Sequence, residues 1–172
     1  MSLPPKPKKK VNIKTIRPSQ IALRAQIERL GQRGEFAERA VWTLWGLVST
    51  WNPYWEENQQ LLLSLIEDEE ADVVDQLSNL LKRKDDTLKL KALGALAQLP
   101  YFARKIKLHM ANKPVMLERL RKLICVDLSN SDSYHRQQLQ VRAARVVAAM
   151  SSTPFADNTI ASLLVGHEGM LE

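Results

Sequence analysis

Three stretches of this chain share one pattern, and that pattern limits the folds open to it. In ERAVWTLWGLVS, KLKALGALAQLP and QVRAARVVAAMS, a basic residue and an alanine open a run of small or apolar residues. The basic-alanine pairs are Arg39-Ala40, Lys91-Ala92 and Arg142-Ala143, spaced 52 and 51 residues apart. An irregular helical bundle needs amphipathic periodicity within each helix but no longer period. A recurrence near 51 residues therefore points to a repeated structural unit, because stacked copies bury faces that one copy alone leaves open.

The residues around the three pairs divide in the same way. In the first third, SQIALRAQIERLGQRG follows Pro18 and places Ile21, Leu23, Ile27 and Leu30 largely along one side, with Ser19 as a plausible N-cap. FAERAVWTLWGLVST follows and stops before Asn52-Pro53, a natural boundary because a residue preceding proline disfavours helix. YWEENQQLLLSLIEDEE is a third helical stretch. In the middle third, ADVVDQLSNLLKRK carries Val73, Val74, Leu77, Leu80 and Leu81 at core-facing spacing. Asp85-Asp86 starts TLKLKALGALAQL, and YFARKIKLHMAN follows Pro100. The last third gives VMLERLRKLICVDL, the polar break SNSDSYH, RQQLQVRAARVVAAM, and FADNTIASLLVG opened by Pro154 in a first turn. PYFARKI and PFADNTI share Pro, Phe, Ala and a closing Ile.

Leu, Ala, Lys, Arg, Glu and Gln are abundant while β-branched and aromatic residues are modest, so composition also favours helix over strand. The expected architecture is all-α: a right-handed stack of eight or nine helices in about three three-helix units. A chain of 172 residues suffices for one such domain, placed at 19–166, after a disordered basic tail at 1–18 and before a flexible C-terminus at 167–172. Such units resemble the armadillo/HEAT class of helical repeats, in which a later helix of each unit carries an Ala- and Leu-rich run. The resemblance covers about 19–166 and rests on pattern, without a diagnostic motif. These units exceed the usual 40–47 residues of that class. It implies a short solenoid with extended surface for partners.

Catalytic constellations are absent from the sequence. It holds no phosphate-binding glycine loop, dinucleotide fingerprint, zinc-protease helix or Cys-x-x-Cys. His109, His135 and His167 lie in different thirds, so no metal site is expected. Asp68, Glu69, Glu70, Asp72 and Asp75 lack the spacing and glycine of a calcium loop and read as a solvated connection, or as a contact for a basic partner. Cys125, the one cysteine, sits among apolar residues and reads as a buried thiol. The expectation is a non-enzymatic chain without cofactor. No apolar run reaches the length of a membrane span, and the basic N-terminus lacks the apolar region of a secretory signal. A nuclear or cytoplasmic location follows as an expectation.

Two features remain as candidate partner sites. All four tryptophans fall in a short stretch: Trp42 and Trp45 sit at i, i+3, and Trp51, Tyr54 and Trp55 crowd the turn beyond. They read either as bulky core or cap for the first unit or as aromatic anchors for a protein partner. In folds resembling this one, inner-surface tryptophans hold extended peptides. Here the equivalent positions are Gly94-Ala95 and Arg145-Val146, so a regular tryptophan ladder is absent and an importin-like role is disfavoured.

The second feature is charge. The net charge of +6 equals the six basic residues of the first 18, Lys6, Lys8, Lys9, Lys10, Lys14 and Arg17, which no acid accompanies. PPKPKKKV resembles a monopartite nuclear localisation signal; its prolines keep the lysines extended for an acidic receptor. The same tail suits phosphates of DNA or RNA, or mere solubilisation. Arg104, Lys105, Lys107, Lys113, Arg119, Arg121 and Lys122 form a second basic region with phosphate contacts in view. A protein-protein interaction module or small adaptor subunit of a larger assembly, nuclear where the tail acts as a localisation signal, is the leading expectation. Nucleic-acid binding through the two basic regions is the alternative.

Overall fold

A computed structural model describes residues 18–32, 34–47, 60–61, 63, 72–125, 134–152 and 160–162. Among them the fold is all-α with no strand. Seven helices are delimited: α1 (Pro18–Leu30), α2 (Glu35–Leu47), α3 (Val73–Leu80), α4 (Asp86–Gln98), α5 (Arg104–Ala111), α6 (Pro114–Ile124) and α7 (Tyr134–Ser151). A 3₁₀ turn at Leu99–Tyr101 joins α4 to the approach of α5. Residues 60, 61, 63 and 160–162 are also helical.

Local chemistry sets these boundaries. Pro18 occupies the first position of α1, where a missing N–H costs nothing. Between α1 and α2, Gly34 adopts φ 69°, a left-handed conformation that glycine reaches without steric penalty. The Asp85 carboxylate accepts from the Leu88 N–H at 3.0 Å and caps α4, as the sequence led us to expect. Pro100 closes α4 through the 3₁₀ turn, and Pro114 opens α6.

The helices pack in two series. α1 packs on α3, and α3 on α6; α2 packs on α4, and α4 on α7. Cross-contacts join α1 to α2, α3 to α4 and α6 to α7. Positions one period apart in sequence are therefore neighbours in space. Ala40, Ala92 and Ala143 are each fully buried, on the three helices of the α2–α4–α7 series. Ile106 and Ile160, which close the two matching Pro-Phe segments, are both buried as well.

The basic partner of each alanine explains the other half of the motif. Lys91 donates to the Glu38 carboxylate, and Arg142 Nη1 donates to the Leu90 carbonyl at 3.1 Å. In both, the basic residue of one unit reaches the residue just before the basic residue of the preceding unit. Arg39 belongs to the first of these units and bonds instead within its own helix, to Glu35 at 3.3 Å. A third link joins the first-helix series: Arg83 Nη2 donates to the carbonyls of Leu30 and Gly31, at 3.1 and 3.2 Å, where they end α1. That guanidinium satisfies carbonyls a helix C-terminus leaves without partners. Replacing Ala92 by Leu should destabilise the protein by about 1–3 kcal/mol through overpacking. Chemical denaturation should show a lower midpoint, whereas the same change at exposed Ala144 should leave it almost unmoved.

Candidate functional site

The buried stripe of α2 is Ala37, Ala40, Val41 and Leu44, the i, i+3, i+4, i+7 set expected of a core-facing helix. Trp42 falls off that stripe and is 51% exposed. Trp45 lies at its edge, half-buried against the core. The two indoles stack, with centroids 5.0 Å apart and planes tilted by 30°. Lys91 of α4 holds its ammonium 5.1 Å from the Trp42 ring centroid, a cation–π geometry, while also paired with Glu38. Trp51, Tyr54 and Trp55 lie outside the described residues.

The stack continues across α4 to α7. Trp45 reaches Gly94, one unit on, and Arg142 reaches it from the next unit. A Cβ at Gly94 would lie 3.3 Å from Arg142 Nη1 and 3.5 Å from Trp45 Cε2. The bare glycine lets an indole and a guanidinium meet over the helix. A cavity of about 100 Å³ opens here, and Leu93, Gly94 and Ala97 of α4 are part of its lining. Trp45 of α2, Gln98 of α4, and Arg142 and Arg145 of α7 also line it. No acidic residue lines it among the described residues. Sequence comparison alone set Gly94 and Arg145 at the positions equivalent to tryptophan and read them as gaps in a ladder. In three dimensions they join Trp45 in one site.

The second basic region does not gather as a patch. Lys107 is 1% exposed: it shares the buried stripe of Ile106, Met110 and Ala111, its Nζ donates to the Ser152 carbonyl, and burial lowers its pKa. This removes it from any phosphate surface. Lys113 donates to Asp72 Oδ2 and Asp75 Oδ2, each at 2.6 Å. Burial lowers the Lys113 pKa, but the two carboxylates outweigh it and raise the value overall. Arg119 Nη1 donates to buried Ser78 Oγ at 2.6 Å; burial depresses its pKa, with Asp75 opposing. Arg121 forms a two-pronged pair with Glu118, at 2.9 and 3.0 Å, and Lys122 approaches the same carboxylate at 3.4 Å. The bonds from Arg121, opposed by desolvation and aided by the charges of Arg121 and Lys122, bring Glu118 down to about 2. Arg104 and Lys105 are exposed on α5. A wider groove of about 650 Å³ between the end of α3 and α6 includes Arg119 and Lys122, with Leu81, Val115 and Leu123 as apolar lining. The tail residues Lys6, Lys8, Lys9, Lys10, Lys14 and Arg17 lie outside the described residues.

The acidic run also departs from expectation. Asp72 is 7% exposed and not part of a solvated connection. Its Oδ1 accepts from the Val74 and Asp75 N–H groups, at 2.9 and 3.2 Å, capping α3. Its Oδ2 meets His109 Nε2 at 2.7 Å and Lys113 Nζ at 2.6 Å. Burial alone would raise its pKa, but the bonds from His109 and Lys113 hold it well below the usual carboxylate range. Asp68, Glu69 and Glu70 lie outside the described residues. Cys125 is exposed rather than buried, because the α6 stripe of Met116, Leu117 and Leu120 leaves position 125 off the core side. His135 lies edge-on to Tyr134, far in sequence from His109, and His167 lies outside the described residues. No group of metal-ligating side chains converges among the described residues, and none of their helices is long and apolar enough to cross a membrane. No protein-family model, curated protein or solved structure matches the chain.

Proposed function

We propose that this chain is a non-catalytic protein-interaction module, built as a short armadillo/HEAT-like solenoid and serving as a small adaptor in a larger assembly. The ordered packing of α1, α3 and α6, and of α2, α4 and α7, supports the repeat reading. So do the inter-unit bonds of Lys91 and Arg142 at 53 and 52 residues. The observation that carries the functional reading is Trp42, an indole 51% exposed and stacked beside Trp45 on the α2–α4–α7 face. Half-exposed tryptophans flanked by arginine are the residue types that dominate protein-binding energetics. Nucleic-acid binding is less favoured because Lys113, Arg119, Arg121 and Lys122 already have partners within the fold and Lys107 is buried. The N-terminal lysines would then serve targeting or a separate polyanion contact.

Co-purification at mild salt, with identification of bound proteins, tests this. Trp42→Ala should release the partner while lowering stability by no more than about 1 kcal/mol, because the side chain is largely outside the core. A partner held equally by wild type and Trp42→Ala would reject this face. A mobility shift with DNA or RNA that weakens steeply as salt rises, in a protein without protein partners, would establish the rival reading.

A further inference from the structure

We infer that the cavity between Trp45, Gly94, Arg142 and Arg145 is a carboxylate pocket, which reads an aspartate or glutamate in an extended segment of a partner protein. This rests on the α2–α4–α7 face being a protein-binding face, and adds the chemistry of what it binds. The volume of about 100 Å³ is well below the roughly 300–1,000 Å³ of sites that enclose whole small molecules. It suits one side-chain group of a larger ligand.

The lining then fixes the sign of that group. Among the described residues, two guanidinium-bearing side chains and no acid bound the cavity. Arg142, among the described residues, bonds from Nη1 to the Leu90 carbonyl, which orients the guanidinium and leaves Nε and Nη2 as donors. Arg145 is exposed and makes no ion pair or hydrogen bond to the described residues. A planar carboxylate matches a guanidinium fork in two-pronged geometry, and the indole of Trp45 beside it lowers the local exposure to water. Leu93 and Ala97 in the lining supply apolar surface for the methylene carbons that carry the carboxylate. Across Trp45, the exposed Trp42 offers an apolar surface for a neighbouring residue of the same segment. The chemistry expected of the partner is therefore an acidic residue a short distance from an apolar one.

A Gly94 side chain would intrude on this space, with its Cβ 3.3 Å from Arg142 Nη1. The wall most easily changed without disturbing the fold is Arg145. The test is a selection from a displayed library of random 12-residue peptides on the full chain, followed by titration of the selected peptides. The expected result is enrichment of peptides with an Asp or Glu at a fixed position beside an apolar residue. Changing that acid to its amide, or Arg145 to Glu, should each weaken binding about tenfold or more, a difference of 1.4 kcal/mol per factor of ten. A lysine at the same peptide position should recover binding to Arg145→Glu. Unchanged far-ultraviolet circular dichroism of that variant shows that it folds. Peptides enriched without an acid, or insensitive to Arg145→Glu, overturn the carboxylate pocket and leave the protein-binding face standing. Absence of any selected peptide overturns the pocket, while co-purification decides the face independently. Single-stranded DNA or RNA that binds in an Arg145-dependent way, with no peptide doing so, also overturns it.

Discussion

Phe102→Ala should cost about 3–5 kcal/mol of stability, the range for emptying the site of a fully enclosed phenylalanine. Phe102 is 0% exposed and is the largest fully buried side chain among the described residues. It follows the 3₁₀ turn at Leu99–Tyr101, which packs against α4, α5 and α7, and its N–H donates to the Leu99 carbonyl at 3.1 Å. The ring thus fills the corner where the third helix of the middle unit is fixed to the second helices. The adjacent Tyr101 is 37% exposed and provides the control. Tyr101→Ala should shift the urea midpoint far less than Phe102→Ala, with the denaturant slope of both close to wild type. Equal shifts would mean that Phe102 is not enclosed.

The second large effect is at Asp72, and the choice of substitution separates its two jobs. Asparagine retains a good helix cap, so Asp72→Asn removes chiefly the charged contacts to His109 and Lys113. Removing one partner of a buried pair costs about 3–5 kcal/mol. His109 and Lys113 are 26% and 24% exposed, so solvent screening reduces the expected loss to about 2–3 kcal/mol. Asp72→Ala should lose about 1 kcal/mol more with the cap.

Acid provides an independent check on the same residue. The folded-state pKa lies below the unfolded value of 3.8, so the folded state binds its proton less readily than the unfolded one. That contribution to stability is complete above the unfolded pKa and is lost as pH falls through the folded one. Asp72→Asn has no such contribution to lose. The stability gap between wild type and Asp72→Asn should therefore be steady near neutrality and narrow as pH falls below 3.8. Lys113, whose pKa is raised, contributes fully below its unfolded value of 10.5 and loses that contribution only in strong alkali. A gap that stays constant into acid would show that Asp72 is not held ionised by its neighbours.

Helix type was legible because it depends on local pattern. Ala40, Ala92 and Ala143 stand beside basic residues in a regular order, and each is fully buried. The Asp85 cap was legible for the same reason, since its partner lies three residues on. Asp72 was not, because the groups that hold it are 37 and 41 residues away and an acidic run in isolation looks solvated. Lys107 is a different case. Its position beside Ile106, with Met110 and Ala111 one turn on, marked a buried stripe, and the spacing carried that signal. Charge clustering drew the reading toward the surface instead. Trp42 likewise stood off the stripe of Ala37, Ala40, Val41 and Leu44. What no one-dimensional pattern displays is the meeting of Trp45, Gly94 and Arg142, which needs three successive units to be in register.

That register is the central claim, and through-space proton contacts test it most directly. Trp45 belongs to the first unit and Gly94 to the second, and a Cβ on Gly94 would touch the six-membered part of the indole at 3.5 and 3.7 Å. In a nuclear Overhauser spectrum of the isotope-labelled protein, the Trp45 ring protons should therefore correlate with the Gly94 Hα protons. Those Hα resonances should also be displaced by the indole ring current and relax toward ordinary glycine values in Trp45→Leu. Trp45 correlations confined to its own helix and α1, with Gly94 unaffected by Trp45→Leu, would contradict the stacking of units and the face built on it.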